Sequence, residues 1–174
     1  MKIETERLIV DEIRKEDKED YFFNISHDKK VLQTFICQYA DDLETFDFDK
    51  YLGRDDLFAI REKKNNKLIG IFVQFDINKD THSLEIGYGI GSKYWGQGYM
   101  SEVVKSMINY YFTNTDIKTV YASFFPENIA SKRVMEKCGM TYSHTIEKEL
   151  TYLNKERDVI YYRINKDNTN TVVF

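Results

Sequence analysis

The chain reads as one α/β domain, α+β layered, in which a mixed, splayed sheet of six to seven strands is flanked by helices. Three observations predict this. Runs with strand periodicity recur along the 174 residues. A Gly-x-Gly turn, Gly96-Gln97-Gly98, joins one such run, Ser83 to Ile90, to a helical pattern. A further strand-like run, Ile117 to Phe125, follows that helix, and a strand-helix-strand crossover of this kind is expected to be parallel and right-handed. The length suits a single domain with a sizeable core, expected over residues 1–166, with 167–174 as a C-terminal tail.

Taken in order, Leu8, Val10 and Ile13 alternate and predict a first strand from Arg7 to Arg14. Asp17 is placed to begin or cap a helix in which Tyr21, Phe22 and Ile25 share a face, and Val31, Leu32, Phe35 and Ile36 predict another short helix. The run Asp41 to Asp49 is acidic and interleaved with Phe46 and Phe48. It reads either as a solvated face with the two rings turned inward or as part of a wall that favours a cationic substrate. Leu57–Arg61 and Leu68–Phe75, joined by the polar segment 62–67, predict a hairpin, and Ser83–Ile90 extends it to a meander.

Val103, Val104, Met107, Ile108, Tyr111 and Phe112 mark one stripe of the long helix. Pro126 cannot donate to a sheet ladder, so the strand before it should end there and part from its neighbour. Asn128 is placed to cap a helix running to Lys137, with Gly139 at the left-handed position after it. Thr141–Thr151 and Asp158–Ile164 predict two closing strands around a turn at Asn154-Lys155-Glu156.

The glycine pair invites a chemical reading. Glycines spaced by one residue let the chain bend tightly and let a ligand approach without Cβ obstruction. The helix that follows points its first N–H groups and positive dipole end at whatever is bound. Ser101 stands where a dinucleotide fingerprint needs a third Gly or Ala, and no Gly-Lys-Ser/Thr follows, so the turn by itself is either structural or an anion seat.

Composition narrows the classes. A formal net charge of −4 argues against a nucleic-acid partner, which needs a concentrated basic face, and accommodates a cationic one. His27, His82 and His144 are scattered and read as surface residues, so no metal is expected. Cys37 and Cys138 lack a Cys-x-x-Cys spacing, and the charged start resembles neither a signal peptide nor a membrane-length run. A reducing cytoplasm is the expected compartment, with no membrane association.

In order, the chain offers Glu85-Ile86-Gly87-Tyr88-Gly89-Ile90, Tyr94-Trp95-Gly96-Gln97-Gly98-Tyr99, Ser101-Glu102, Phe125-Pro126-Glu127-Asn128, Ser131 and Lys137-Cys138-Gly139-Met140. This arrangement resembles the GNAT superfamily of acetyl-CoA-dependent N-acetyltransferases. The opening Glu4-Thr5-Glu6-Arg7-Leu8-Ile9-Val10 looks like the first strand of its RimJ/RimL branch, the ribosomal-protein alanine N-acetyltransferases. The resemblance implies an acyl-CoA N-acyltransferase fold and backbone contacts to the pyrophosphate of acetyl-CoA from Trp95, Gly96, Gln97, Gly98, Tyr99 and Met100. It further implies main-chain contacts to the pantetheine arm from Tyr88 and Ile90, and cofactor contacts from Asn128 and Ser131.

It also marks departures. Met135 stands where many members have a tyrosine that protonates the leaving thiolate, and a thioether cannot donate. Ser131 is the substitute acid the branch implies, or else a packing or capping residue; a thiol of pKa about 8.5 also leaves tolerably as its anion. Lys93 replaces the usual Gln or Arg and reads as a supporting surface cation. Glu85 lies where members place a carboxylate base; the competing reading has it face solvent on an alternating strand.

A base matters more for a lysine acceptor, of pKa about 10.4, than for an α-amine of pKa about 8. The expectation is acetyl transfer by direct attack of a primary amine, a protein N-terminal α-amine first and a polyamine or other small cationic amine second. A catalytically weak acyl-CoA-binding regulatory module stands as the alternative, and the resemblance allows a homodimer.

Overall fold

The computed structural model describes residues 1–167. They fall into two compact units, Met1–Val73 with Tyr88–Val103, and Gln74–Gly87 with the chain from Val104 onward. Eight strands follow the hydrogen-bonded order β1-β2-β3-β4-β5-β6-β8-β7, so the sheet is mixed and open. In chain order they are β1 (Ile3–Glu4), β2 (Leu8–Glu12), β3 (Leu57–Glu62), β4 (Leu68–Asn78), β5 (Ser83–Ile90), β6 (Thr119–Phe124), β7 (Thr141–Tyr152) and β8 (Lys155–Asn165). The helices are α1 (Lys18–Tyr21), α2 (Lys29–Leu32), α3 (Tyr99–Asn114) and α4 (Ile129–Lys137). Of the expected tail, 167–174, the residues from 168 on lie outside the described residues.

The strand count corrects the expected six to seven. The added strand is β1, which pairs Ile3 with Val10 and Glu4 with Ile9. Two residues carry no alternation to read, and what fixes them is a local turn in which Thr5 N–H donates to Leu8 O at 2.9 Å and Leu8 N–H to Thr5 Oγ1 at 3.0 Å. The β7–β8 turn is also corrected. Lys155 and Glu156 are already paired with Tyr152 and Thr151, and the loop is Leu153-Asn154, at φ of 52° and 59°. Two positive φ values match the twist of a two-residue hairpin, a preference that outranks the intrinsic reluctance of leucine for that region.

In the unit containing Met1–Val73, β2, β3 and β4 pair antiparallel. Their core includes Tyr21, Phe22, Phe46, Phe48 and Tyr51, with the Tyr21 and Tyr51 rings stacked at 4.6 Å. Phe46 and Phe48 are thus turned inward while Asp41, Asp42, Glu44, Asp47 and Asp49 are exposed, the arrangement of a solvated face. Asp17 closes the short turn before α1 by accepting from Arg14 N–H at 2.7 Å. It has a second task that periodicity does not show. Arg61, buried on the β3 strand, donates from Nε to Asp11 Oδ1 at 2.6 Å, from Nη2 to Asp17 Oδ2 at 2.7 Å and to Glu12 O at 2.9 Å.

In the other unit, β5 and β6 are parallel, as a crossover through α3 requires, and the paired stretch runs from Ser83–Thr119 to Ile86–Ala122. The β6 strand ends two residues before Pro126. Val104, Met107, Ile108, Val120, Ala122, Met135 and Cys138 are buried there, and Tyr111 OH donates to Gln74 Oε1 at 3.0 Å. Gly139 takes the left-handed φ of 80° expected after α4.

Candidate functional site

Among the residues of the first unit, β5 ends at Ile90 and the chain turns through Gly91 and a 3-10 turn, Ser92–Tyr94, into the glycine loop. Gly96 and Gly98 have φ of 76° and 79°, values that cost other residues a Cβ clash. A Cβ at Gly96 would meet nothing within 4 Å, and one at Gly98 only Arg7 Nη2 at 3.6 Å, so this stretch of backbone is open to a ligand. Glu102 N–H donates to Gly98 O at 3.1 Å, which makes Gly98 the residue from which α3 starts. The amides of a first helical turn have no intrahelical acceptor and point outward with the dipole. A turn of this geometry can accept an anion.

The side chains of the loop mostly face the protein. Tyr99 and Met100 are buried, with Tyr99 OH donating to Glu62 Oε1 at 3.0 Å. Trp95 is 43% exposed, and its Nε1–H donates to Ile90 O at 2.9 Å. One lone pair of the Ile90 carbonyl is therefore taken within the chain, and Ile90 itself is buried while Tyr88 is half-buried. Lys93 is exposed and lies over the Tyr94 ring at 5.1 Å, the surface cation expected. Gly91 follows β5 closely packed: its N–H donates to Ile69 O at 2.9 Å, and a Cβ there would lie 3.1 Å from Asn24.

Sequence reasoning missed two residues here. Glu102, in the first turn of α3, accepts on Oε1 from Thr5 Oγ1 and from Arg7 N–H at 2.8 Å, and on Oε2 from Arg7 Nε at 2.7 Å. Arg7 Nη1 reaches on to Gln97 O at 3.0 Å, and the guanidinium lies over the Tyr99 ring at 4.4 Å. Burial pushes the Glu102 carboxyl up, but the bonds from Thr5 and Arg7 more than offset this and hold it below the usual carboxylate range. Arg7 was visible only as part of a first strand, and nothing in linear order joins it to a loop some ninety positions away.

The second unit carries the expected acid–base residues. Glu85 on β5 is half-buried and accepts from Ser123 Oγ at 3.0 Å across the parallel pairing. Desolvation raises its carboxyl above the ordinary range; the Ser123 hydroxyl opposes this, the charges of Glu149 and Asp76 add to it, and His144 opposes it. Glu85 is thus partly covered on its strand, between the fully solvent-facing position and a buried one. Near it, Tyr161 OH donates to Glu149 Oε1 at 2.6 Å and the His144 ring stacks on Tyr161 at 4.5 Å, nearly parallel. The Tyr161 phenol is raised by burial and by its bond to Glu149.

Asn128 caps α4 as anticipated, its Oδ1 accepting from Ser131 N–H at 3.1 Å. Ser131 is half-buried, whereas Met135 one turn on is fully buried in the core. Cys138 is buried at the helix end, where desolvation pushes its thiol up to about 12, so it is no nucleophile at neutral pH. His27 corrects the surface reading of the histidines: it is half-buried, stacked on Phe22 at 4.8 Å, with Nδ1 2.8 Å from Ala40 O. Among the described residues no group of three or more His, Cys, Asp or Glu is placed to hold a metal ion, and no helix is long and apolar enough to cross a membrane.

A family model described as the acetyltransferase (GNAT) domain matches residues 7–141, which draws on both units. A relative named as the uncharacterized N-acetyltransferase YnaD of Bacillus subtilis is 27% identical over 98% of this chain and 100% of its own length. The crystal structure of a GNAT-family acetyltransferase from Bacillus anthracis superposes with a TM-score of 0.84 at 29% identity, over 96% of this chain and 99% of the other. A spermidine N-acetyltransferase from Vibrio cholerae, solved with CoA and spermine, shares the fold at a TM-score of 0.76 and 17% identity, over 92% of this chain and 96% of the other.

Proposed function

We propose that this chain, which belongs to the GNAT acetyltransferase family, acetylates a primary amine of a protein N-terminus, with Glu85 as the base that receives the amine's proton. The family settles the coarser points: the chain is an N-acetyltransferase, its acetyl donor is acetyl-CoA, and its acceptor is an amine. We read residues 1–166 as one catalytic domain. We place it beside the RimJ/RimL branch on the strength of the opening run Glu4 to Val10, and in the cytoplasm, where Cys37 and Cys138 would stay reduced.

In this reading the backbone amides from Trp95 to Met100 receive the pyrophosphate. The open backbone at Gly96 and Gly98 supports that assignment, because a phosphate needs close approach to N–H groups. Tyr88 and Ile90 offer main-chain groups to the pantetheine arm, while Asn128 and Ser131 serve its thioester end. Acetyl-CoA supplies an activated thioester. The neutral amine attacks its carbonyl carbon, a C–N bond forms and the C–S bond breaks. Glu85 takes the proton the nitrogen sheds, and the departing sulfur takes one from Ser131 Oγ or leaves as thiolate.

The observation that carries the proposal is the state of Glu85. It is half-buried, held by one hydroxyl, and among the described residues forms no ion pair with Lys or Arg. A carboxylate raised by desolvation is a better proton acceptor at neutral pH than an exposed one. A second acceptor class, a polyamine or other small cationic amine, is favoured by one feature: the charges of Glu149 and Asp76 add to that of Glu85.

The test is thiol release from acetyl-CoA across N-terminal peptides, lysine peptides, polyamines and aminoglycosides, with Glu85→Gln and Ser131→Ala alongside. Turnover concentrated on N-terminal peptides and lost in Glu85→Gln supports the proposal. Turnover concentrated on polyamines moves the assignment to the second class. Binding of coenzyme A with no turnover on any amine would restore the binding-module alternative.

A further inference from the structure

Two left-handed glycines give the loop its shape, and the same freedom makes that shape costly to hold. Glycine surrenders more conformational entropy than any other residue when it is fixed. A loop with Gly96 and Gly98 at φ of 76° and 79° therefore needs an external tie. Gln97, between them, has its carbonyl engaged by Arg7 Nη1 at 3.0 Å. Arg7 is itself anchored: its carbonyl accepts from Lys63 N–H at 3.0 Å, its amide donates to Glu102 Oε1 at 2.8 Å and its Nε to Glu102 Oε2 at 2.7 Å. The guanidinium plane rests 4.4 Å from the Tyr99 ring, and the ring's hydroxyl is held by Glu62 at 3.0 Å.

Charge adds a second reason. Glu102 stands in the first turn of α3, within the helix end assigned to the phosphates, where an unpaired carboxylate would repel them. Arg7 neutralises it through a charge-assisted bond. The planar fork suits this task, since Nε and Nη1 reach two acceptors in fixed geometry and a lysine ammonium cannot do both in that plane.

We infer that Arg7 is a positioning residue for the acetyl donor, locking the Gly96–Gly98 loop and cancelling the Glu102 charge so that the loop discriminates phosphorylated from unphosphorylated thioesters. The inference rests on the reading of this loop as the pyrophosphate seat. Arg7 would not touch the reacting atoms, so its effect belongs in the apparent affinity for acetyl-CoA and not in the chemical step.

The experiment compares acetyl-CoA with S-acetylpantetheine, which carries the same thioester and no phosphate, in the wild-type enzyme, Arg7→Ala and Arg7→Lys, with thermal melts of each. Arg7→Ala is expected to raise KM for acetyl-CoA by about tenfold or more, the scale of a lost hydrogen bond to a charged group, and to leave kcat nearly unchanged. Its kcat/KM for S-acetylpantetheine should match that of the wild-type enzyme. Arg7→Lys keeps the cation and the aliphatic stem, and so guards against an alanine variant that fails to fold; it should recover less than half of the logarithmic loss.

Equal losses with both donors would show a general structural role and overturn the inference, as would no loss with either. A wild-type enzyme that uses both donors equally well would instead remove the pyrophosphate reading of the loop, a failure distinct from that of Arg7.

Discussion

The two units of the molecule treat their carboxylates differently. In Met1–Val73 with Tyr88–Val103, the buried acids Asp11, Asp17 and Glu62 and the half-buried Glu102 meet cations: Asp11 and Asp17 share Arg61, Glu62 meets Lys64 as well as the Tyr99 hydroxyl, and Glu102 meets Arg7. In Gln74–Gly87 with the chain from Val104 on, Glu85 meets a hydroxyl, and two of the three charged groups that perturb it share its sign. On the proposed reading of Glu85, the difference separates scaffold from chemistry. A satisfied ion pair holds strands and loops in register and has no reason to exchange its proton. A desolvated carboxylate with one weak partner holds its charge at a cost, which is the condition for taking a proton from a substrate.

Substitutions sharpen the contrast in order of size. Arg61→Ala should cost about 3–5 kcal/mol of stability, because it removes the buried cation that Asp11 and Asp17 share and leaves them only Arg14, and urea unfolding monitored by circular dichroism would measure it. A loss below about 1 kcal/mol would mean that the pair is hydrated and that the scaffold reading is wrong. Glu85→Gln should lower kcat by roughly 10²–10⁴-fold, with the melting temperature unchanged or raised, since the variant removes a desolvated charge. The same substitution at Glu62, a paired acid, should act on stability and leave the pH profile of turnover where it was.

Smaller effects concern pH. Glu102 has a lowered carboxyl pKa in the folded state, so its contribution to stability is present above its unfolded value and is lost as pH falls through the folded one. Melting temperature against pH should therefore drop less steeply on the acid side in Glu102→Gln than in the wild type. Asp47→Asn, on the exposed acidic stretch, should change stability by no more than about 0.5 kcal/mol, and an unchanged acceptor KM would retire that stretch as a substrate wall.

Most of the fold was legible because its signals are local. The alternation of Leu8 and Val10, the stripe from Val103 to Phe112, Pro126 after β6 and Gly139 after α4 each speak through neighbours within a turn or two. Asn128 was legible as a cap for the same reason. What escaped was short or long-range. The β1 strand is too brief to show a period, and the Leu153-Asn154 turn uses a residue that turn statistics disfavour. Arg61 looked like one charged position on an alternating strand, and its partners lie 44 and 50 positions away. Arg7 stood in the first-strand run and Glu102 just after the glycine turn, with nothing in linear order to join them. Ser123 carried no motif, and only the parallel register of β5 and β6 brings it to Glu85.

The central claim is that Glu85 accepts the amine's proton. The most direct measurement is kcat/KM against pH for the wild-type enzyme, Ser123→Ala and Glu149→Gln, using an N-terminal peptide as acceptor. Glu85 acts as a base only when ionised, and desolvation raises its pKa, so activity should fall as pH drops through a value above the ordinary carboxylate range. Ser123→Ala removes a bond that favours the ionised form and should move that limb to higher pH. Glu149→Gln removes a like charge and should move it to lower pH. Acid limbs that coincide in all three enzymes would contradict the claim and assign the titration to another group.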